Sequence, residues 1–219
     1  MRSAVIVTGF VASLALSACG SGGARQDATE PKGKFPVAVD SASFPSAQTL
    51  SQHSRLTIAV RNSGNKTIPN IAVTICNITC TYPASTAHGS SQAFSQDLNA
   101  KYLANPSRPI WIVDQPPGLC GYSCVNGGQG AGVTAYANTW ALGPLKPGKT
   151  AHFQWKVTAV SPGRHVVAWE VAAGLNGRAR AVASGGGVPN GTFSVDISSK
   201  PARNYVNNSG QIVSGSGQP

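Results

Sequence analysis

Residues 151 to 159 alternate apolar and polar without a break. Phe153, Trp155, Val157 and Ala159 fall on one side of an extended chain, and His152, Gln154, Lys156 and Thr158 on the other. Successive side chains of a strand point to opposite faces, so this run predicts a strand with one face buried and one face wet. The same period recurs four times. Leu56, Ile58 and Val60 oppose Arg55, Thr57, Ala59 and Arg61; Ile71, Val73 and Ile75 repeat it; so do Val167, Trp169, Val171 and Ala173, then Phe193, Val195 and Ile197. No helical period persists over about 11 residues after residue 18. A chain of half-buried strands folds as sheets packed face to face. The predicted class is all-β, an antiparallel sandwich.

Turn chemistry separates these strands. Asn62-Ser63-Gly64-Asn65-Lys66, Pro147-Gly148, Ser161-Pro162-Gly163, Asn176-Gly177 and Gly185-Gly186-Gly187 are rich in residues that fix or permit turn dihedrals. Residues 55–61 and 71–75 read as one hairpin, and Asn176-Gly177 as the turn of another. Phe35 to Val39 reads as a short edge strand, because Pro36 is tolerated at an edge. With 25 Gly and 15 Pro in 219 residues, there are turn formers enough for many short strands.

The amino terminus has its own pattern. Met1-Arg2 precedes an apolar run from Val5 to Leu16, then Leu16-Ser17-Ala18-Cys19 and Gly20. A spanning helix needs roughly 20 apolar residues, more than this run offers. A positive start, a short apolar stretch and a small-residue exit read as a secretory signal. Residues 16 to 19 resemble the lipobox of bacterial lipoproteins. That resemblance implies that Cys19 carries diacylglycerol and becomes the first mature residue, with the protein on the extracytoplasmic face of the cell membrane. Two acyl chains suffice for stable attachment. The alternative is an ordinary signal that happens to end at a cysteine. The expected organisation is a signal peptide at 1–18, a flexible tether at 19–34, a sandwich at 35–199 and a loosely ordered polar tail at 200–219.

The strand sequences also resemble a known family. RLTIAVRNSGNKTIPNIAVTI and WALGPLKPGKTAHFQWKVTAVSPGRHVVAWEVAAGL are similar to the Ig-like, CARDB-type modules of bacterial cell-surface proteins. The shared marks are V-x-N-S-G, L-G-x-L-x-P-G and V-x-P-G, over about residues 54–76 and 139–198. The resemblance implies an Ig-like sandwich acting in adhesion, spacing or binding, with no catalytic residues. Fold likeness does not choose among those roles.

Residues 77–138 depart from that pattern as a long insertion. Loops beyond about 15 residues in a compact domain are usually functional or disordered. Pro109 to Val113 reads as a strand within it, flanked by Cys76-x₃-Cys80 and Cys120-x₃-Cys124. Four cysteines in an exported chain read first as disulfides. Local pairing, favoured here by the neighbouring glycines, brings 76 to 80 and 120 to 124. It demands a turn, since four strand residues span roughly 13 Å and a disulfide needs Cα atoms within about 7 Å. Crossed pairing and a four-thiolate zinc site are the alternatives. No cofactor is expected, and a copper site lacks its usual axial methionine. Trp111, Tyr122 and Tyr136 in the insertion are candidate partner-binding aromatics if exposed; otherwise they form the insertion's own small core.

Charge bounds the partners. Seventeen Lys and Arg stand against seven Asp and Glu, for a net charge of +10. Such a balance favours anionic surfaces. The exported address and the scattering of the cations along the chain argue against nucleic acid. The four histidines and seven acids are dispersed; Asp114 with His88 is the one insertion pair that general acid–base chemistry could use. The expected function is a lipid-anchored, non-catalytic adhesion or protein-interaction module. The alternatives are a lipoprotein that binds wall polymer or carbohydrate and, more remotely, an extracytoplasmic enzyme.

Overall fold

The computed structural model describes residues 28–80, 93–95, 109–118, 132–133, 138–201, 203–206, 209–210 and 212–215. The strands are β1 (Gly33–Ser43), β2 (Ala47–Leu50), β3 (His53–Asn62), β4 (Ala72–Asn77), β5 (Phe94–Ser95), β6 (Trp111–Gln115), β7 (Gly132–Val133), β8 (Thr139–Ala141), β9 (Thr150–Ala159), β10 (Gly163–Ala172), β11 (Ala179–Ala183), β12 (Asn190–Pro201), β13 (Arg203–Val206) and β14 (Ile212–Gly215). The first sheet has the order β11-β1-β3-β9-β6-β5, the second β2-β12-β10-β4-β8-β7, and β13-β14 stand apart. The chain is an all-β sandwich, as its two-residue period predicts.

Period and burial agree strand by strand. In β9, Phe153, Trp155, Val157 and Ala159 are fully buried, while His152, Gln154 and Lys156 are exposed. In β3, Leu56, Ile58 and Val60 are buried against them. Aromatic rings dominate the centre: Trp155 lies edge-on to Trp140 and Phe94, and Phe94 in turn to Trp111. Edge-to-face arrangements suit the ring quadrupoles.

Connectivity differs from expectation. β3 and β4 do not form a hairpin; β3 pairs with β1 and β9, and β4 with β10 and β8. The Asn176-Gly177 turn likewise carries the chain from β10 in the second sheet to β11 in the first. Period 2 tells which face of a strand is buried, and both sheets offer a buried face. It does not tell which sheet a strand joins. The sheets are also mixed where pure antiparallel pairing was expected. β1–β11, β12–β2 and β5–β6 run parallel.

The arch after β3 depends on Asn62. Its side chain is buried, donates from Nδ2 to the carbonyls of Lys66 and Leu145 at 2.8 Å each, and accepts from the Gly64 N–H at 3.0 Å. Its backbone pairs with Lys149 and Gly148. The two sequence marks, Val60-Arg61-Asn62-Ser63-Gly64 and Leu142 to Gly148, are therefore halves of one junction.

Boundaries move at both ends. β1 is not an edge strand; it lies between β11 and β3, and Pro36 escapes the ladder to β3 because that pairing begins at Val37 with Asn62. The proposed tether ends earlier than residue 34, since β1 opens at Gly33 and Glu30 is already buried. Residues 200–219 are not a plain tail: β12 runs to Pro201, and β13 pairs with β14. The described parts of the insertion belong to the two sheets. β5 and β6 extend the first sheet beside β9, and β7 extends the second beside β8.

Candidate functional site

Three surface features stand out once the faces are assigned. The first is the corner where β4 ends. Cys76 and Cys80 form a disulfide with Cα atoms 5.2 Å apart, one half of the local pairing that the neighbouring glycines favour. A strand could not close that bridge, and the chain turns instead: Thr79 N–H donates to the Asn77 carbonyl at 2.8 Å, and Ile78 takes φ of 67°. Positive φ is unfavourable for a β-branched residue. The turn also projects Ile78 outward, 65% exposed. Beside it lies a hollow of about 240 Å³ lined by Ile78, Thr79, Cys80, Glu170, Asn190 and Thr192, among others. Burial among these neighbours pushes the Glu170 carboxyl above its ordinary range.

The second feature is the outer face of the first sheet. The cations looked scattered in sequence, yet sheet pairing sets them side by side. Arg55 lies directly opposite Lys156, and Lys34 opposite Arg180. Like charges directly across a pair of strands are destabilising. Among the described residues, both acids on this face, Asp40 and Asp114, are already engaged. Arg61 Nε donates to both Asp40 oxygens at 3.1 and 3.2 Å, with Thr150 Oγ1 also on Asp40. Asp114 Oδ2 accepts from Thr158 Oγ1 at 2.7 Å and lies 3.2 Å from His53 Nδ1. The opposite-charge pair Arg164 and Asp196 sits in register on the other sheet.

The Asp114 cluster differs from the sequence pairing of Asp114 with His88, which lies outside the described residues. Its histidine is His53. Asp114 and Thr158 both approach the same ring nitrogen, Nδ1, with Thr158 Oγ1 at 2.9 Å. A proton relay uses the two nitrogens for different partners. This set has no such division of labour, and the His53 side chain is 70% exposed.

The third feature is where the chain enters the domain. The Glu30 carboxylate accepts from the backbone N–H groups of Leu175, Asn176 and Ala179 at 2.6, 2.8 and 2.6 Å. Gly174 leaves room for it, since a side chain there would collide with the carboxylate. Arg178 Nη1 reaches back to the Ala28 carbonyl, and Gly33 N–H bonds the Arg178 carbonyl. Charged hydrogen bonds contribute more than neutral ones, and water can replace part of the loss at this edge. Glu30→Ala is expected to lower unfolding free energy by about 2 kcal/mol, read by urea denaturation.

Trp111 is corrected: it is fully buried in β6, with Nε1 donating to Gln48 Oε1 at 2.8 Å. Its ring is unavailable to a partner, and it belongs to the main core rather than to a small core of the insertion. Cys19, Cys120, Cys124, Tyr122 and Tyr136 lie outside the described residues. The four-thiolate zinc site is set aside, because two of its ligands are oxidised to each other. Among the described residues no group of three metal-ligating side chains converges. Sequence reasoning missed Ile78, whose φ no motif announces. It also missed the charge pairing, although the outward positions of β1, β3, β9 and β11 spell it out once register is known.

No protein-family model matches the chain, and no curated protein matches it. Among solved structures, it is similar to alpha-2-macroglobulin of E. coli at 14% identity and a TM-score of 0.38, over 78% of this chain and 7% of that one. It is similar to a CARDB domain of Pyrococcus furiosus, solved in complex with di-metal ions, at 12% identity and a TM-score of 0.38, over 76% of this chain and 96% of that one. A beta-glucosidase of Listeria innocua follows at 12% and 0.34, over 75% of this chain and 16% of that one. The chain thus spans a small part of the first and third. Likeness at this level carries nothing about activity.

Proposed function

We propose that this chain is a lipid-anchored, non-catalytic interaction module on the extracytoplasmic face of the cell membrane, and that the Cys76–Cys80 loop is what it presents to a protein partner. The observation that carries the reading is Ile78. A large apolar side chain is held in solvent at φ of 67°, a backbone state that costs on the order of 1–3 kcal/mol. Such strain persists where the surrounding structure imposes it, and strained residues gather at ligand clamps and functional sites. A loop already closed by a disulfide loses little freedom on docking. Attachment through Cys19 would fix the location, and the stiff sandwich would fix the loop's aspect.

A photo-crosslinking residue at position 78 tests this in intact cells. The expected result is one discrete heavier species, absent with the crosslinker at Thr57 on the opposite sheet, and lost when Cys76→Ser with Cys80→Ser opens the loop. Equal adducts from positions 78 and 57 would count against the reading.

A second reading, attachment to an anionic wall polymer, is favoured by Arg55 and Lys156, which face each other with no carboxylate partner among the described residues. It requires co-sedimentation with cell-wall material that Arg55→Ala with Lys156→Ala weakens at least about five-fold, and that fades as the Debye length falls from about 10 Å at 0.1 M salt to about 3 Å at 1 M.

A further inference from the structure

We infer that the cations gathered where the tether joins the domain form a docking patch for anionic lipid headgroups, which sets how the sandwich stands on the membrane. This rests on the lipid-anchor reading, because it is the anchor that brings this end of the domain to the bilayer.

The geometry is specific to one end of the molecule. Glu30 is pinned to the β10–β11 turn by three backbone hydrogen bonds. Everything before it leads back to Cys19, eleven residues away in sequence. Even fully extended, eleven residues reach no more than about 40 Å. Whatever surface holds Cys19 therefore lies within that reach of the Glu30 entry point. Around that point the chain places Lys32, Lys34, Arg178 and Arg180, all exposed. Lys34 and Arg180 are directly opposite each other in the parallel β1–β11 pair, and Gly33 and Ala179, one step back, are also paired. None of the four has a carboxylate partner among the described residues. Among the described residues the one acid in their midst, Glu30, is buried and turned inward onto backbone N–H groups.

Two cations held opposite each other repel unless an anion lies over both. A surface of lipid phosphates supplies one, with each Lys or Arg near an anionic leaflet contributing about five-fold in binding. The other like-charge pair, Arg55 with Lys156, lies toward the far end of the same face: β1 runs from Lys34 to Ala38, which pairs with Arg61, six residues along β3 from Arg55. At roughly 3.3 Å per residue the two pairs are about 33 Å apart along the strands, several Debye lengths in physiological salt. Membrane docking through Lys34 and Arg180 would therefore leave Arg55 and Lys156 facing away.

Amine labelling of the intact protein, purified from membranes and reconstituted into vesicles, tests this directly. Vesicles of phosphatidylcholine alone are compared with vesicles that also contain phosphatidylglycerol, and each lysine is read by mass spectrometry. The expected result is labelling of Lys32 and Lys34 slowed at least about five-fold by phosphatidylglycerol, restored by high salt, with Lys156 unchanged. Arg178→Ala with Arg180→Ala should remove most of the protection at Lys34, and Arg55→Ala should leave it intact. Equal labelling of Lys34 on both vesicles overturns the inference. So does protection of Lys156 in place of Lys34, or protection of Lys34 only when wall polymer is added. Failure of the protein to stay with vesicles at all would instead count against the anchor itself.

Discussion

Trp111→Ala is expected to lower the unfolding free energy by about 5 kcal/mol, the upper end of the range for deleting a large buried aromatic. Two losses combine. The indole is fully buried and packs against Phe44 at 5.3 Å, Phe94 at 6.1 Å and His165 at 5.8 Å between ring centroids. Its removal leaves a cavity that the surrounding β-strands, fixed by their ladders, cannot close. It also strands Gln48 Oε1, which is 3% exposed as a residue and whose amide nitrogen already donates to the Pro45 carbonyl. An orphaned buried acceptor adds about 1–3 kcal/mol. Trp111→Phe keeps most of the volume and loses the hydrogen bond, so it should cost about 2 kcal/mol. Urea denaturation of both variants separates the two terms. A loss below about 2 kcal/mol for Trp111→Ala would mean that β6 is an appendage and not part of the sandwich.

Asn62→Ala is expected to cost about 3 kcal/mol. Three side-chain hydrogen bonds disappear, two of them from carbonyls that sit at the junction of both sheets. Alanine has nothing to offer Lys66, Leu145 or Gly64, and the Ile68–Leu145 bridge closes the site over. Asn62→Asp is a useful companion: it keeps the acceptor for the Gly64 N–H and turns both donated bonds into repulsion. It should therefore be no better than alanine. If Asn62→Ala changed stability by less than about 1 kcal/mol, water would have to be replacing the amide at a residue that is fully buried.

The core of this fold is legible in the sequence because burial has a period. Phe153, Trp155 and Val157 are where alternation puts them, and so are Leu56, Ile58 and Val60. Sheet membership is not legible in the same way. Asn62-Ser63-Gly64 and Asn176-Gly177 have hairpin chemistry, yet each begins an arch between sheets, because turn residues record local dihedrals and not the direction in which the chain leaves. Trp111 shows a related blind spot. Its neighbours lie in a long insertion with weak strand signals, and only pairing of β6 with β9 reveals that the insertion completes the first sheet. The charge pairs fail to register for the same reason: Arg55 and Lys156 are a hundred residues apart in sequence and adjacent only through β3–β9 register. The Cys76–Cys80 bridge is legible only as a preference, from the glycines that favour tight turns, with crossed pairing equally open to the spacing, whereas the outward thrust of Ile78 depends on a backbone state that no residue type announces.

The proposed membrane attachment through Cys19 underlies both the proposed interaction role and the proposed docking of the basic end. Mass spectrometry of the amino-terminal peptide of the protein extracted from its native membrane tests it most directly. The account predicts a peptide that begins at Cys19 and carries a diacylglyceryl thioether, and its disappearance in Cys19→Ser. A peptide that begins elsewhere, or a Cys19 with an unmodified thiol in membrane-extracted protein, would contradict it.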